Sequence, residues 1–108
     1  MKTNEIHIGG RKSVCPDDIM LLEANENYTL LYLQNGKKLL VATTLKTLEQ
    51  RFDICQNFFR PGKSYIVNLN YLSDYQLDRS LITMQNDKTI LVSRRRKNAF
   101  QLKIASNE

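Results

Sequence analysis

Histidine and cysteine are scarce in this chain of 108 residues: one histidine, His7, and two cysteines, Cys15 and Cys55. Neither cysteine belongs to a Cys-x-x-Cys pair. A structural zinc site wants four clustered ligands, and three residues this far apart in sequence do not supply them. No metal and no cofactor is therefore expected. The cysteines read as reduced thiols, at least one of them buried. His7 reads as an exposed residue in a polar leader. The lack of histidine also weighs against catalysis, because a nucleophile needs a base beside it. Asp17, Asp18 and Asp74 are carboxylates, yet nothing sets two of them as an acid–base pair. Asp17-Asp18 reads as a turn. No glycine-rich phosphate cradle occurs. The chain reads as a non-enzyme with no catalytic residue.

Long apolar runs are missing too. None can cross a bilayer, and the start, Met1-Lys2-Thr3-Asn4-Glu5, has no apolar signal core. The expectation is a cytoplasmic protein with no membrane partner. There are no internal repeats and no low-complexity stretch. A chain of this length buries roughly two-thirds of its unfolded surface, enough for one core without staples. Apolar residues make up 42% and charged residues 25% of the chain, as in ordinary globular domains. We expect a flexible leader over residues 1–11, a folded domain over 12–104 and a short tail over 105–108.

Acid is the third shortage. Eleven acidic residues face sixteen basic ones, for a net charge of +5. That balance favours a nucleic acid or another anionic surface as partner. No acidic residue lies between Lys88 and Ile104, and this stretch holds Arg94-Arg95-Arg96-Lys97. Ser93 before the run is a good helix N-cap. Ala99, Phe100 and Ile104 then fall near one helical face. A helix start carries partial positive charge and favours acids. Arginines there break that rule, and a phosphate would resolve the conflict. The plainer alternative is a solvated charge run on a surface helix.

Between leader and run, most segments have strand character. Residues 19–24 are a short, mostly apolar run that reads as a strand or a buried helical turn, residues 25–27 are a turn, and residues 28–33 are rich in β-formers. Asn35-Gly36 is a hairpin signal, with residues 38–43 returning as the partner strand. Leu45, Leu48 and Phe52 have helical spacing, with Thr44 as cap, so a short helix over 45–52 must pack on the sheet. Phe58-Phe59 reads as a core plug and Pro61-Gly62 as a turn. Residues 64–69 read as extended, and residues 70–75 lead into another strand. Residues 81–84 and 89–92 form a hairpin ahead of the last helix, over 94–104. The fold expected is mainly antiparallel β with two short helices.

Four segments resemble the LytTR DNA-binding domain of bacterial transcription regulators. Residues 18–28, with Glu23-Ala24, are similar to the family's opening strand and following loop. Thr44-Leu45-Lys46-Thr47-Leu48-Glu49 is similar to its Thr-Leu-Lys-x-Leu-Glu helix. Phe59-Arg60-Pro61-Gly62-Lys63-Ser64-Tyr65-Ile66-Val67-Asn68 resembles its Phe-x-Arg-x-His-Arg/Lys-Ser-Tyr/Phe-Ile/Leu-Val-Asn stretch. Ile90-Leu91-Val92-Ser93-Arg94-Arg95 matches its strand ending in Ser-Arg. Order and spacing agree over about residues 12–104.

The resemblance implies an elongated arrangement of small antiparallel sheets whose loops enter successive grooves of bent double-stranded DNA. It implies direct-repeat sites, with self-association on DNA. Two departures stand out. Gly62 takes the place of the family's histidine, which bears on base preference and loop rigidity. The residues ahead of the first strand are also too few for the receiver domain that members often carry.

Carried over by position, the contacting regions are Lys63 and Ser64, Arg94 and Arg95, and the turn over 25–28. Lys63, Arg95 and Asn27 are the candidate base contacts. Arg95 suits guanine O6 and N7 through its fork, the alternative being a phosphate contact or no contact. Lys63 follows Pro-Gly on a loop and either reaches a groove or is an ordinary surface lysine. Tyr28, Lys46, Ser64, Ser93, Arg94, Arg96 and Lys97 are candidate DNA-backbone contacts. Arg60 reads as structural, pairing with a carboxylate such as Glu23, itself expected as an internal hydrogen-bonding partner. Asn68 reads as a turn former that bonds its own backbone. Tyr28 and Tyr32 either pack across strands or stack on nucleotides. The function implied is sequence-specific DNA binding for transcription regulation. The other reading is a non-specific module for RNA or an anionic surface.

Overall fold

The computed structural model of the chain describes residues 5–107. Three small antiparallel sheets and two helices make up the fold. Strands β1 (Ile6–Gly9) and β2 (Lys12–Val14) form a hairpin. The central sheet takes β3 (Ile19–Asn25), β4 (Tyr28–Leu33), β5 (Lys38–Val41), β6 (Phe58–Phe59) and β7 (Tyr65–Asn68) in the order β5-β4-β3-β7-β6. The third sheet, β8 (Leu72–Gln76), β9 (Leu81–Met84) and β10 (Thr89–Leu91), has the order β10-β9-β8. Helix α1 (Leu45–Arg51) links β5 to β6, and α2 (Lys97–Asn107) ends the fold.

Strand β3 explains the layering. Four consecutive residues, Ile19, Met20, Leu21 and Leu22, are buried. Strict alternation would turn every second one to solvent. Here both faces are covered. A register shift between Ile19 and Leu21 against β4 puts Met20 and Leu21 on one face together. Ile19 and Leu22 face the other side. There Ile6 and Ile8 from the hairpin, Leu45 and Leu48 from α1, and Phe52 just after it close over them. Met20, Leu21 and Val67 meet Ile82, Met84 and Ile90 of the third sheet and Phe100 of α2.

The helix caps follow local sequence. The Thr47 amide donates to Thr44 Oγ1 at 3.3 Å, and the Arg96 amide to Ser93 Oγ at 3.3 Å. Residues Arg94–Arg96 form a 3-10 turn, and the α-helix proper begins at Lys97. It continues to Asn107, past the expected end at 104. Asn68 is buried and does what a turn asparagine does: its Oδ1 accepts from the Asn70 amide at 2.9 Å. Its Nδ2 also donates to Ile19 O at 2.9 Å, tying β7 to the start of β3.

Two expectations need correction. Residues 6–9 of the supposed leader are strand β1, and Ile6 and Ile8 are core residues. Arg51, at the end of α1, donates to His7 O at 3.0 Å and anchors the strand. The turn demands glycine: Gly9 and Gly10 have φ of +150° and +57°, and a Cβ on Gly9 would sit 2.7 Å from Thr43 Oγ1. The first four residues of that leader lie outside the described ones. The cysteines are free, and both are partly exposed rather than buried.

Candidate nucleic-acid interface

The β6–β7 loop, residues 60–64, lies between two other connections. On one side Ala24, at the end of β3, donates its amide to Ser64 O at 2.8 Å. Beyond Ala24 the chain turns through Glu26 and Asn27 into β4, with Glu26 at φ +57° and Asn25 opposite Tyr28. On the other side the Ser93 amide donates to Pro61 O at 2.9 Å. Arg96 reinforces that join. Its Nε donates to Arg60 O at 3.0 Å, and its guanidinium lies 4.8 Å over the Phe59 ring. The turn over 25–28, the loop over 60–64 and the turn over 93–97 are thus stitched side by side.

Lys63, Ser93, Arg94, Arg95 and Arg96 line one open recess of about 920 Å³ with Glu49, Arg60 and Gly62. Lys63, Arg94 and Arg95 are exposed. Their charges face solvent, where a polyanion can meet them. Arg96 is half-buried and commits Nε to the protein. The remaining expected residues lie outside the recess. Asn27 and Tyr28 are exposed at the β3–β4 turn, and Ser64 is exposed next to Ala24, which its carbonyl holds. Lys46 is exposed on the first turn of α1, and Lys97 opens α2 half-buried. Thr29 Oγ1 donates to Thr43 O at 2.6 Å, which links the strand after Tyr28 to the segment leading into α1.

Arg60 is structural, as expected, but its carboxylate partner is Glu49 at 2.7 Å and not Glu23. The sheet faces explain the difference. Glu23 shares a face with Leu21 and lies opposite Tyr65, on the side covered by the third sheet. Glu49 belongs to α1, which covers the other side. Glu23 instead accepts from Tyr32 OH at 2.6 Å and Tyr65 OH at 3.0 Å, with Lys88 Nζ 3.7 Å away. Burial pushes the Glu23 carboxyl up, but these two hydrogen bonds and Lys88 outweigh it and hold it below the usual carboxylate range. Burial and the same carboxylate raise both tyrosines. Tyr32 therefore has an internal role, whereas Tyr28 is 48% exposed.

Gly62 has room for a side chain. Its φ is outside the left-handed region, and an added Cβ would meet only Ser93 Cβ, at 3.9 Å. Neither strain nor crowding requires glycine there. No group of three or more His, Cys, Asp or Glu that could hold a metal occurs among the described residues. None of their helices is long and apolar enough to cross a membrane.

The domain is mainly antiparallel, and two of its adjoining connections, over 60–64 and 93–97, gather cations at one recess. The chain belongs to the LytTr DNA-binding domain family, whose model matches residues 10–105. It is a DNA-binding domain of the kind used in transcription regulation. Its fold is similar to a solved LytTr DNA-binding domain from Bacillus cereus, described as that of a methyl-accepting/DNA response regulator. The TM-score is 0.71 at 22% identity, over 96% of this chain and 97% of that one. No curated protein sequence matches the chain closely enough to count as a relative.

Proposed function

We propose that this domain binds double-stranded DNA sequence-specifically, in the bacterial cytoplasm, and regulates transcription from the sites it reads. The observation that carries the reading is the recess in which Lys63, Ser93, Arg94, Arg95 and Arg96 converge. Lys63 and Arg95 read base edges there, and Asn27 reads them from the neighbouring turn. A guanidinium fork discriminates between bases, while a lone ammonium on a phosphate does not. Arg94, Arg96, Lys97, Lys46, Tyr28, Ser64 and Ser93 hold the DNA backbone and set the register. Arg96 does so with the nitrogens its internal contacts leave free. The neighbouring turn and loops enter successive grooves of the duplex, as the family resemblance implies. Neighbouring copies on direct-repeat sites, touching one another on DNA, complete the reading.

Selection from randomised duplexes, followed by titration against selected and random sequence, tests this. A specificity ratio of about 10³ or more is expected. With four to six cations on phosphates, log affinity should fall against log salt with a slope of roughly −4 to −5. Equal affinity for every duplex, or for RNA and anionic vesicles, would reduce the domain to a non-specific polyanion binder.

A further inference from the structure

The β6–β7 loop lies outside the strand ladders, yet five consecutive carbonyls in it are occupied. Arg60 O accepts from Arg96 Nε, Pro61 O from the Ser93 amide and Ser64 O from the Ala24 amide. The two between them, Gly62 O and Lys63 O, both rest on the Arg60 guanidinium, from Nε at 3.0 Å and Nη2 at 2.8 Å. The last branch, Nη1, donates to Glu49 Oε1 at 2.7 Å. Three nitrogens of one fork thus meet three acceptors. An ammonium on a single stem cannot reproduce that pattern.

Glu49 is out of place by charge. Its side chain is 46% exposed, and the recess it lines holds five cations: Arg60, Lys63, Arg94, Arg95 and Arg96. A carboxylate on a face that receives phosphate repels it. Its contact with Arg60 offers the compensating gain.

We infer that Arg60 and Glu49 are a positioning pair for DNA reading. Arg60 fixes the backbone of residues 62–64, and so the place from which Lys63 reaches a base edge. Glu49 holds Arg60 in that pose and lowers the general affinity for DNA. The inference rests on the reading of Lys63 as a base contact.

Two variants test it, each with two measurements. Arg60→Lys keeps the charge and removes the fork. It should lower the ratio of affinities for selected over random duplex about tenfold, the scale of one lost hydrogen bond to a charged group, with random-duplex binding nearly unchanged. Glu49→Gln keeps the shape and removes the charge. It should tighten random-duplex binding about two- to threefold at low salt, as loss of one exposed repulsive charge allows, and lower the ratio as well. In the DNA-free protein, backbone order parameters at Lys63 and Ser64 should drop in Arg60→Lys from the rigid value of about 0.85 towards 0.6.

Equal loss for selected and random duplex in Arg60→Lys would make Arg60 a plain phosphate contact and overturn the inference. So would unchanged order parameters, or a Glu49→Gln variant that weakens random-duplex binding. If the native chain shows no salt-dependent duplex binding, the DNA reading fails separately. The order parameters still decide whether Arg60 holds the loop.

Discussion

Replacing Glu23 by glutamine should destabilise the domain by about 2 kcal/mol at neutral pH. The carboxylate receives two tyrosine hydroxyls, at 2.6 and 3.0 Å, and its side chain is 27% exposed. Hydrogen bonds to a charged group contribute about 1.5–3 kcal/mol and neutral ones about 0.5–1.5. Glutamine keeps one acceptor oxygen, and its amide nitrogen serves the other tyrosine only by donating to the hydroxyl oxygen. Two bonds to a charged acceptor thus become two neutral ones, at a loss of about 1 kcal/mol each. Lys88 adds at most about 1 kcal/mol, because the pair is partly exposed and 3.7 Å apart. Near-isosteric glutamine keeps the packing, so the loss reports charge and not volume. For a domain of this size, about 2 kcal/mol should lower the melting temperature by roughly 8–16 °C.

The pH dependence gives the sharper assay. The folded Glu23 carboxyl is held below its ordinary value. Its stabilisation is therefore present above the unfolded value, about 4.3, and lost as the pH falls through the lower folded value. The two tyrosines are raised, by burial first and by the Glu23 bond next. Burial pushes Lys88 down, but the Glu23 carboxylate foremost outweighs it and leaves Lys88 raised. The stabilisation from these three is present below about pH 10 and lost as the pH rises through their folded values. Urea unfolding from pH 3 to 7 should show the native and Glu23→Gln curves converging towards acid, with unchanged m-values. A stability difference as large at pH 3 as at pH 7 would refute the argument, because protonated glutamate and glutamine differ little.

Arg95→Ala and Lys63→Ala should each weaken selected-site binding by about 1–3 kcal/mol and relax preference at one or two base pairs, whereas Lys97→Ala should weaken all duplexes alike and reduce the salt slope by about one. Site selection with each variant checks the assignment. Ile8→Ala should cost about 2–5 kcal/mol in denaturant unfolding, the range for truncating a fully buried side chain; a free leader would lose nothing. Gly62→Ala should raise stability by about 0.4–1 kcal/mol in the same assay, because its backbone conformation suits alanine and the added methyl group has room.

What the sequence made legible was local. Thr44 and Ser93 cap the helices they precede, because a hydroxyl within three residues of a free amide needs no tertiary information. Asn35-Gly36 turns between β4 and β5 for the same reason. What stayed hidden depended on which face of the central sheet a residue meets. Ile6-His7-Ile8 alternates as a strand should, but four residues have no meaning until α1 and β3 close over them. Glu23 and Glu49 are both plausible partners for an arginine. Only the sheet between them decides that Arg60 takes the one on α1.

The cation run shows both levels in one segment. Arginines at a helix start oppose the helix dipole, which points to an external anion. The structure divides that conflict. The run is a 3-10 turn ahead of α2, and Arg96 folds back to bond Arg60 O and cover the Phe59 ring. One of the three arginines is therefore partly answered from within, by a carbonyl and an aromatic face that no local pattern could reveal. Arg94 and Arg95 remain exposed on the recess. Arg96 has an internal use that these two lack among the contacts of the turn. By bonding Arg60 O it ties the turn that carries Arg94 and Arg95 to the loop that carries Lys63, and all three residues line the same recess.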